Sequence, residues 1–304
     1  MPRTRFFLTK MVRDEKVKVG VLGATGTVGQ RFILQLSSHP EFELHVLGAS
    51  SSSAGKPYHE AVAGRWKQVR PIPSSIRNMM VQECEPSAFA ECGVVFSGLD
   101  SGPAGPVEAA FGPLDIVMVQ TMQAISGSGY PGVSSLDILD NVVPYISGEE
   151  EKIEWETSKI LGGLKDNNTA FDLHEQSPIR VSAQCNRVPV IDGHLACVSV
   201  SFKKQPPPSP EQVAKALSSY ECEAQLLGCH SAPVQAITVH TESDRPQPRL
   251  DREWQDGAGV NVGRIRPCPV LDIKFVSLVN NVMLGAATSS VLNAEIALKR
   301  GYLS

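Results

Sequence analysis

The stretch VKVGVLGATGTVGQRFILQLSSH, residues 17–39, constrains the fold more than any other part of the chain. A short β-branched run leads into Gly23, Gly26 and Gly29, and apolar residues then recur at helical spacing as Phe32, Ile33 and Leu36. That order reads as strand, tight turn, helix. The glycines have separate tasks. Gly23 permits the turn, Gly26 lets backbone N–H groups approach a pyrophosphate at the helix N-terminus, and Gly29 lets the helix pack closely on the strand. A second strand, ELHVLGAS at 43–50, follows where the adenosine ribose of a bound dinucleotide would lie. The pattern predicts an α/β fold opening with a Rossmann-type dinucleotide-binding unit.

The end of that second strand bears on which dinucleotide. An acid there would bind a ribose 2′-hydroxyl and repel a 2′-phosphate, whereas ASSSSAGK offers Ser50 to Ser53 and Lys56 and no carboxylate. NADP is therefore the expected cofactor, against a flexible serine loop as the plain alternative. A third strand, CGVVFSGLD at 92–100, ends in Ser97 and Gly98 at the carboxyl edge of the sheet, where a cofactor would sit. A doubly wound domain then needs a second half of about three more strands. Only SGPAGPVEAAFGPL intervenes before the next strand, DIVMVQT, with room for one short helix over Pro106–Phe111. The nucleotide sheet is expected to be truncated, leaving the edge and apolar faces of VVFSGL exposed.

From residue 116 the pattern becomes a strand, a Gly/Ser loop and charged helical stretches, which reads as a second, α+β domain. It is expected to continue through SAQCNRVPVIDGHLACVSV, a helix near Pro210–Ser219, and the strands GAGVNVGRIR and LDIKFVSLV. The helical C-terminus is expected to pack back on the first domain. The resulting division is 1–111 with 285–304 for the NADP-binding domain, and 112–284 for a catalytic and dimerisation domain.

A net charge of −4 carries no basic excess for a phosphate backbone, so nucleic acid is excluded as a partner. No apolar run approaches the roughly 20 residues that span a bilayer. The seven cysteines lack CxxC spacing, no metal site is read from them, and a reduced, cytoplasmic setting is expected. The basic, acid-free leader MPRTRFFLTK reads as a loose tail or an over-long start ahead of the first strand, against an organelle-targeting segment as the alternative.

Cys185, Arg187 and His194 fall within ten positions and raise the question of an acyl-transfer nucleophile. If the segment is a hairpin turning at Asp192-Gly193, Cys185 lies about 20 Å from His194, beyond hydrogen-bond reach, so it reads as a buried strand cysteine. The same hairpin puts Arg187 and His194 about 13 Å apart at the backbone, close enough for one site: Arg187 to clamp a carboxylate, His194 to exchange a proton. A surface arginine and a turn histidine are the plain alternative. None of the other cysteines opens a helix after a strand.

Taken together, VGVLGATGTVGQRF, LGASSSSAGK, VVFSGLD, QTMQAISGSGYPGVSSLDILDNVVPYISGEEEKIEWETSKILGG, SAQCNRVPVIDGH and LNAEIALKRGYL resemble the aspartate-semialdehyde dehydrogenases of the fungal and archaeal-like branch over nearly the whole chain. The resemblance implies NADPH-dependent reduction of aspartyl phosphate to aspartate semialdehyde and phosphate, in lysine, threonine, methionine and isoleucine biosynthesis, by a homodimer or homotetramer. It implies cofactor contacts from Thr25, Gly26, Thr27 and Val28, flanked by Gly23 and Gly29, with Ser50 and Ser53 near the 2′-phosphate, Ser97 at the strand end, and Asn281 toward the C-terminus. It implies Gln123 as an active-site glutamine, Glu150 and Lys152 for the substrate amino group and phosphate, Arg187 for its carboxylate, and His194 as acid/base.

One departure outweighs the matches. After FSGLD the family has a strand-helix-strand segment with a phosphate-binding run and then an Asn-Cys motif that supplies the nucleophile; here Phe111 passes directly to Gly112. Without the thiol this chain is expected to be at best residually active. A second departure is the lack of an arginine in ASSSSAGK for the 2′-phosphate. The alternatives are a non-catalytic paralogue that binds NADP or enters oligomers, an N-acetyl-glutamyl-phosphate reductase-like enzyme, and a skipped exon at the junction.

Overall fold

The computed structural model describes residues 15–97, 114–162, 165, 170–173 and 178–303. The helix expected over Pro106–Phe111 and the Phe111–Gly112 junction lie outside the described residues.

The opening pattern folds as its glycines demand. Strand β1 (Val17–Leu22) passes through Gly23, at φ +69°, into helix α1 (Thr27–Leu36), and the chain returns as β2 (Phe42–Ala49). With β3 (Val81–Glu83) and β4 (Val94–Ser97) these strands form a parallel sheet in the order β3-β2-β1-β4. β3 is missing from the sequence reading: its three residues bury only Val81, too short a run to show a period. The C-terminal helix α4 (Ser289–Lys299) returns as expected, packing Val291 and Ala294 into one core with Val19, Val21, Phe32 and Phe42.

The second sheet has six strands in the order β6-β5-β7-β10-β9-β8: β5 (Leu114–Gln123), β6 (Arg180–Arg187), β7 (His194–Phe202), β8 (Ile237–Val239), β9 (Val260–Pro267) and β10 (Ile273–Val279). Its core joins Val117, Val200, Phe202 and Ile273 to Val213 and Leu217 of helix α3 (Pro210–Ser218). A reciprocal Ser209–Gln212 capping box and Pro210 at the first position fix where α3 starts. Helix α2 (Glu149–Leu161) lies against the outer strand β6.

The hairpin expected at Asp192-Gly193 does not form. A turn occurs there, with Gly193 at φ +103°, but β6 and β7 are not neighbours. β5 lies between them, parallel to β6 and antiparallel to β7. Arg187 and His194 are therefore two strand spacings apart, about 10 Å, instead of about 13 Å along a hairpin.

A buried carboxylate, Glu295, links the two units. His39 Nε2 lies 2.9 Å from Glu295 Oε1 of α4, and both Glu295 oxygens accept from the Ser231 N–H at 3.1 and 3.2 Å.

Candidate active site

Position 124, at the carboxyl end of β5, organises the site. Arg187 Nη1 donates to the Ala124 carbonyl at 2.7 Å, and the Ala124 N–H donates to His194 Nδ1 at 3.1 Å. The two side chains thus brace one buried residue from either side. The strand pairing places them there, with Gln123 opposite Arg187 and Met122 opposite Leu195, the residue after His194. The next turn, Ile125–Ser128, brings Gly127 over both. A Cβ on Gly127 would lie 3.0 Å from Arg187 Nη1 and 3.3 Å from His194 Nε2, so a side chain here would press on both groups.

Arg187 is buried, and among the described residues no carboxylate hydrogen-bonds its guanidinium. Burial draws its pKa down, and only the charge of Glu149 and a neighbouring cysteine oppose that. A desolvated cation without a carboxylate partner is suited to receiving an anionic group. Burial, followed by the Arg187 charge, lowers the His194 pKa to about 4, so the ring is neutral near pH 7. Because Nδ1 accepts from Ala124, the proton of the neutral ring sits on Nε2, the nitrogen facing Gly127.

Gln123 is buried, and its Nε2 donates to Glu149 Oε2 at 3.3 Å and lies 3.8 Å from Cys185 Sγ. The acidic run Glu149–Glu151 opens helix α2. Glu150 Oε1 accepts the backbone N–H of Cys185 at 2.9 Å, closing the outer edge of β6. Glu149 faces the site, with Lys152 Nζ 3.8 Å from its Oε1. Glu149 and Lys152 share a helix face at i,i+3, and this spacing was the signal that could have selected Glu149 from GEEEK.

Cys185 is the buried strand cysteine that was expected. Burial, and then the charges of Glu149 and Glu150, push its thiol up, which opposes a thiolate.

The glycine turn is a separate, well-braced site. Gly26 caps α1 with no side-chain hydrogen bond, so the first-turn N–H groups of Thr27, Val28 and Gly29 meet no capping side chain. A Cβ on Gly29 would lie 2.2 Å from the Gly23 carbonyl oxygen, the close helix-strand contact that the sequence predicts. Thr25 is fixed through its carbonyl by Gln30 Nε2 at 2.9 Å, and Ala24 by the Tyr58 hydroxyl at 2.8 Å. Gln30 and Tyr58 were not read from the sequence, since neither falls in the glycine pattern. Ser97 sits beside Leu22 at the strand end, and the serine loop closes through Ser53 N–H to the Ser50 carbonyl at 2.8 Å. This cradle of a glycine turn, open helix N-terminus and strand edge fits a dinucleotide. Asn281 Nδ2 donates to Ser126 Oγ and its Oδ1 accepts from the Gly193 N–H, both at 2.9 Å.

Comparison with known proteins matches this two-part layout. The semialdehyde dehydrogenase NAD-binding domain family matches residues 18–129, and its dimerisation domain family matches residues 105–284. The aspartate-semialdehyde dehydrogenase of Cryptococcus neoformans is 52% identical, with 95% of this chain and 98% of that one covered. The enzyme of Saccharomyces cerevisiae is 45% identical, with 93% and 98% covered. The Cryptococcus match runs over 361 positions against the 304 residues of this chain, so that relative carries residues with no counterpart here. The crystal structure of the Candida albicans enzyme with NADP aligns with a TM-score of 0.85 at 44% identity, covering 94% of this chain and all of that one. The chain belongs to the aspartate-semialdehyde dehydrogenase family.

Proposed function

We propose that this chain carries the substrate-recognition and nucleotide-binding parts of an enzyme that reduces L-4-aspartyl phosphate to aspartate semialdehyde and phosphate with NADPH, and that it lacks the nucleophile. The observation that carries this reading is the arrangement at Ala124, where buried Arg187 and neutral His194 meet beneath Gly127. Arg187 holds the substrate carboxylate bidentately. Glu149 takes the amino group, a role the family resemblance first suggested for Glu150, and Lys152 takes the phosphate. Gln123 orients the reacting carbonyl, and His194 offers its Nε2 proton to oxygen as charge develops there.

NADPH, when bound, supplies the hydride. Gly23, Thr25, Gly26, Thr27, Val28 and Gly29 hold its phosphates, and Ser97 lines its strand edge. Ser50, Ser53 and Lys56 lie toward the 2′-phosphate, although Lys56 Nζ here donates to the Ser52 carbonyl at 2.7 Å. We divide the chain into 1–111 with 285–304 for the cofactor and 112–284 for substrate and subunit contacts, and we assign it to cytoplasmic homodimers or homotetramers. Among the described residues no helix is long and apolar enough to cross a membrane.

The nucleophile belongs, on this reading, to a segment missing between Phe111 and Gly112. The buried, high-pKa Cys185 and the excess length of the Cryptococcus relative both support that placement. The complete six-stranded sheet favours a second reading, a non-catalytic subunit that enters family-type oligomers. Sequencing the transcript across the codons for Phe111 and Gly112 separates them. An intervening Asn-Cys segment makes the natural protein the full dehydrogenase. A direct junction leaves the non-catalytic subunit, and a transcript that adds a segment without cysteine overturns the assignment of the missing nucleophile.

A further inference from the structure

A cavity of about 650 Å³ lies between α1 and the segments around Ser231 and Arg252, and none of its lining residues belongs to the Ala124 site or the glycine turn. One wall therefore comes from the first unit and the other from the second. Helix α1 faces it with Arg31 and Gln35, which share a helix face at i,i+4. Arg31 Nε and Gln35 Oε1 are buried there, and neither has a hydrogen-bond partner among the described residues. Gln35 Nε2 donates to Thr288 Oγ1 at 2.7 Å, so its carbonyl oxygen is the free end. A buried donor and a buried acceptor both cost stability until something pairs with them.

The charges around these two groups select the sign of an occupant. Arg31, Arg70 and Arg252 line the cavity against Glu253 and Asp256. Both carboxylates are already engaged, Asp256 with Arg70 at 3.7 Å and Glu253 with Arg252 at 3.9 Å, and none pairs with Arg31 among the described residues. Arg252 is held further by its Nη1, which donates to the Asp192 carbonyl at 3.3 Å. Arg31 is thus the lining cation whose charge is left uncompensated.

We propose that this cavity is a ligand site for a small organic anion that also carries a hydroxyl or N–H donor. A carboxylate docks side-on against the Arg31 Nε–H and a terminal N–H of the same guanidinium, and the ligand's donor meets Gln35 Oε1. An anion without that donor leaves Gln35 Oε1 unpaired, so the site discriminates among carboxylates. Because the walls belong to both units, the occupant bridges them. The volume falls in the range of ordinary small-molecule pockets.

The test is titration calorimetry of the full chain with citrate and with tricarballylate, which differs from citrate by the loss of one hydroxyl. Citrate is expected to bind saturably, and tricarballylate about threefold or more weakly. Arg31→Met keeps the apolar stem without the guanidinium and should weaken citrate about tenfold or more. Gln35→Glu sets a negative charge beside Arg31 and should give a comparable loss, which keeps the test open if Arg31→Met does not fold. Arg187→Ala should leave citrate affinity unchanged. Absence of saturable citrate binding overturns the proposal, as does citrate affinity that survives both α1 substitutions. A loss confined to Arg187→Ala also overturns it, since the anion would then lie at Ala124. Equal affinity for the two anions overturns the role given to Gln35.

Discussion

The two sheets differ in how their edges end. In the six-stranded sheet the outer strand β6 is closed by α2: Glu150 accepts from the Cys185 N–H at 2.9 Å and Glu154 from the Ala183 N–H at 3.0 Å. Carboxylates four apart on a helix thus cap amides two apart on a strand, which removes a template for strand addition. In the four-stranded sheet, β4 pairs with β1 alone among the described residues, and Val95 is 40% exposed on a strand of the type that parallel sheets bury on both faces. One edge is built as an edge. The other has the composition of an interior strand with its neighbour taken away, which is what loss of the segment after FSGLD would leave.

Four perturbations would break or sharpen this contrast. The largest expected effect is on the short sheet. Gly29→Val drives side-chain atoms into the Gly23 carbonyl, should cost about 3 kcal/mol or more, and should abolish nucleotide binding. Calorimetry should show the first unit melting earlier while the second transition stays in place. A common shift of both would mean that the contact of Glu295 with the Ser231 N–H makes them one cooperative unit.

The second effect belongs to the complete sheet. The folded His194 pKa, about 4, lies below the ordinary value near 6.5, so below pH 6.5 the unfolded chain binds the proton first. Its contribution, roughly 3 kcal/mol, is fully present above pH 6.5 and is lost as pH falls toward 4. Denaturant midpoints measured from pH 7 to 4 should fall accordingly, and should fall less in His194→Asn.

Smaller effects compare the edges directly. Removing both caps with Glu150→Ala and Glu154→Ala should cost about 1 kcal/mol for each lost bond and speed hydrogen exchange at Ala183 and Cys185. The converse change, Val95→Lys on the exposed face of β4, should alter stability by less than about 0.5 kcal/mol while reducing aggregation in light scattering. If Val95→Lys instead unfolds the protein, that face is covered, and the contrast fails.

How legible each part was follows from the range of its interactions. The strand-turn-helix at 17–36 was readable because its determinants are local: glycines with fixed steric tasks, followed by a change of period. The helix at 210–218 was readable for the same reason, through Pro210 and the Ser209–Gln212 box. The pairing around Arg187 and His194 was not. A turn at Asp192-Gly193 marks a reversal but cannot tell whether the two strands meet or admit a third between them, and β5 comes from more than sixty residues earlier. Glu149 was obscured by two neighbouring glutamates, although helical spacing to Lys152 distinguishes it. Gly127 carries no side chain to notice, and its importance appears only once Arg187 and His194 are seen beneath it.

The most direct test is turnover by the purified chain supplied with aspartate semialdehyde, phosphate and NADP, together with calorimetric binding of aspartate semialdehyde. A finished recognition site without its nucleophile predicts saturable binding that Arg187→Ala abolishes, and NADP reduction several powers of ten below that of a family enzyme. Turnover at a family enzyme's rate, lost on Cys185→Ala, would contradict it and make the buried thiol of β6 the nucleophile.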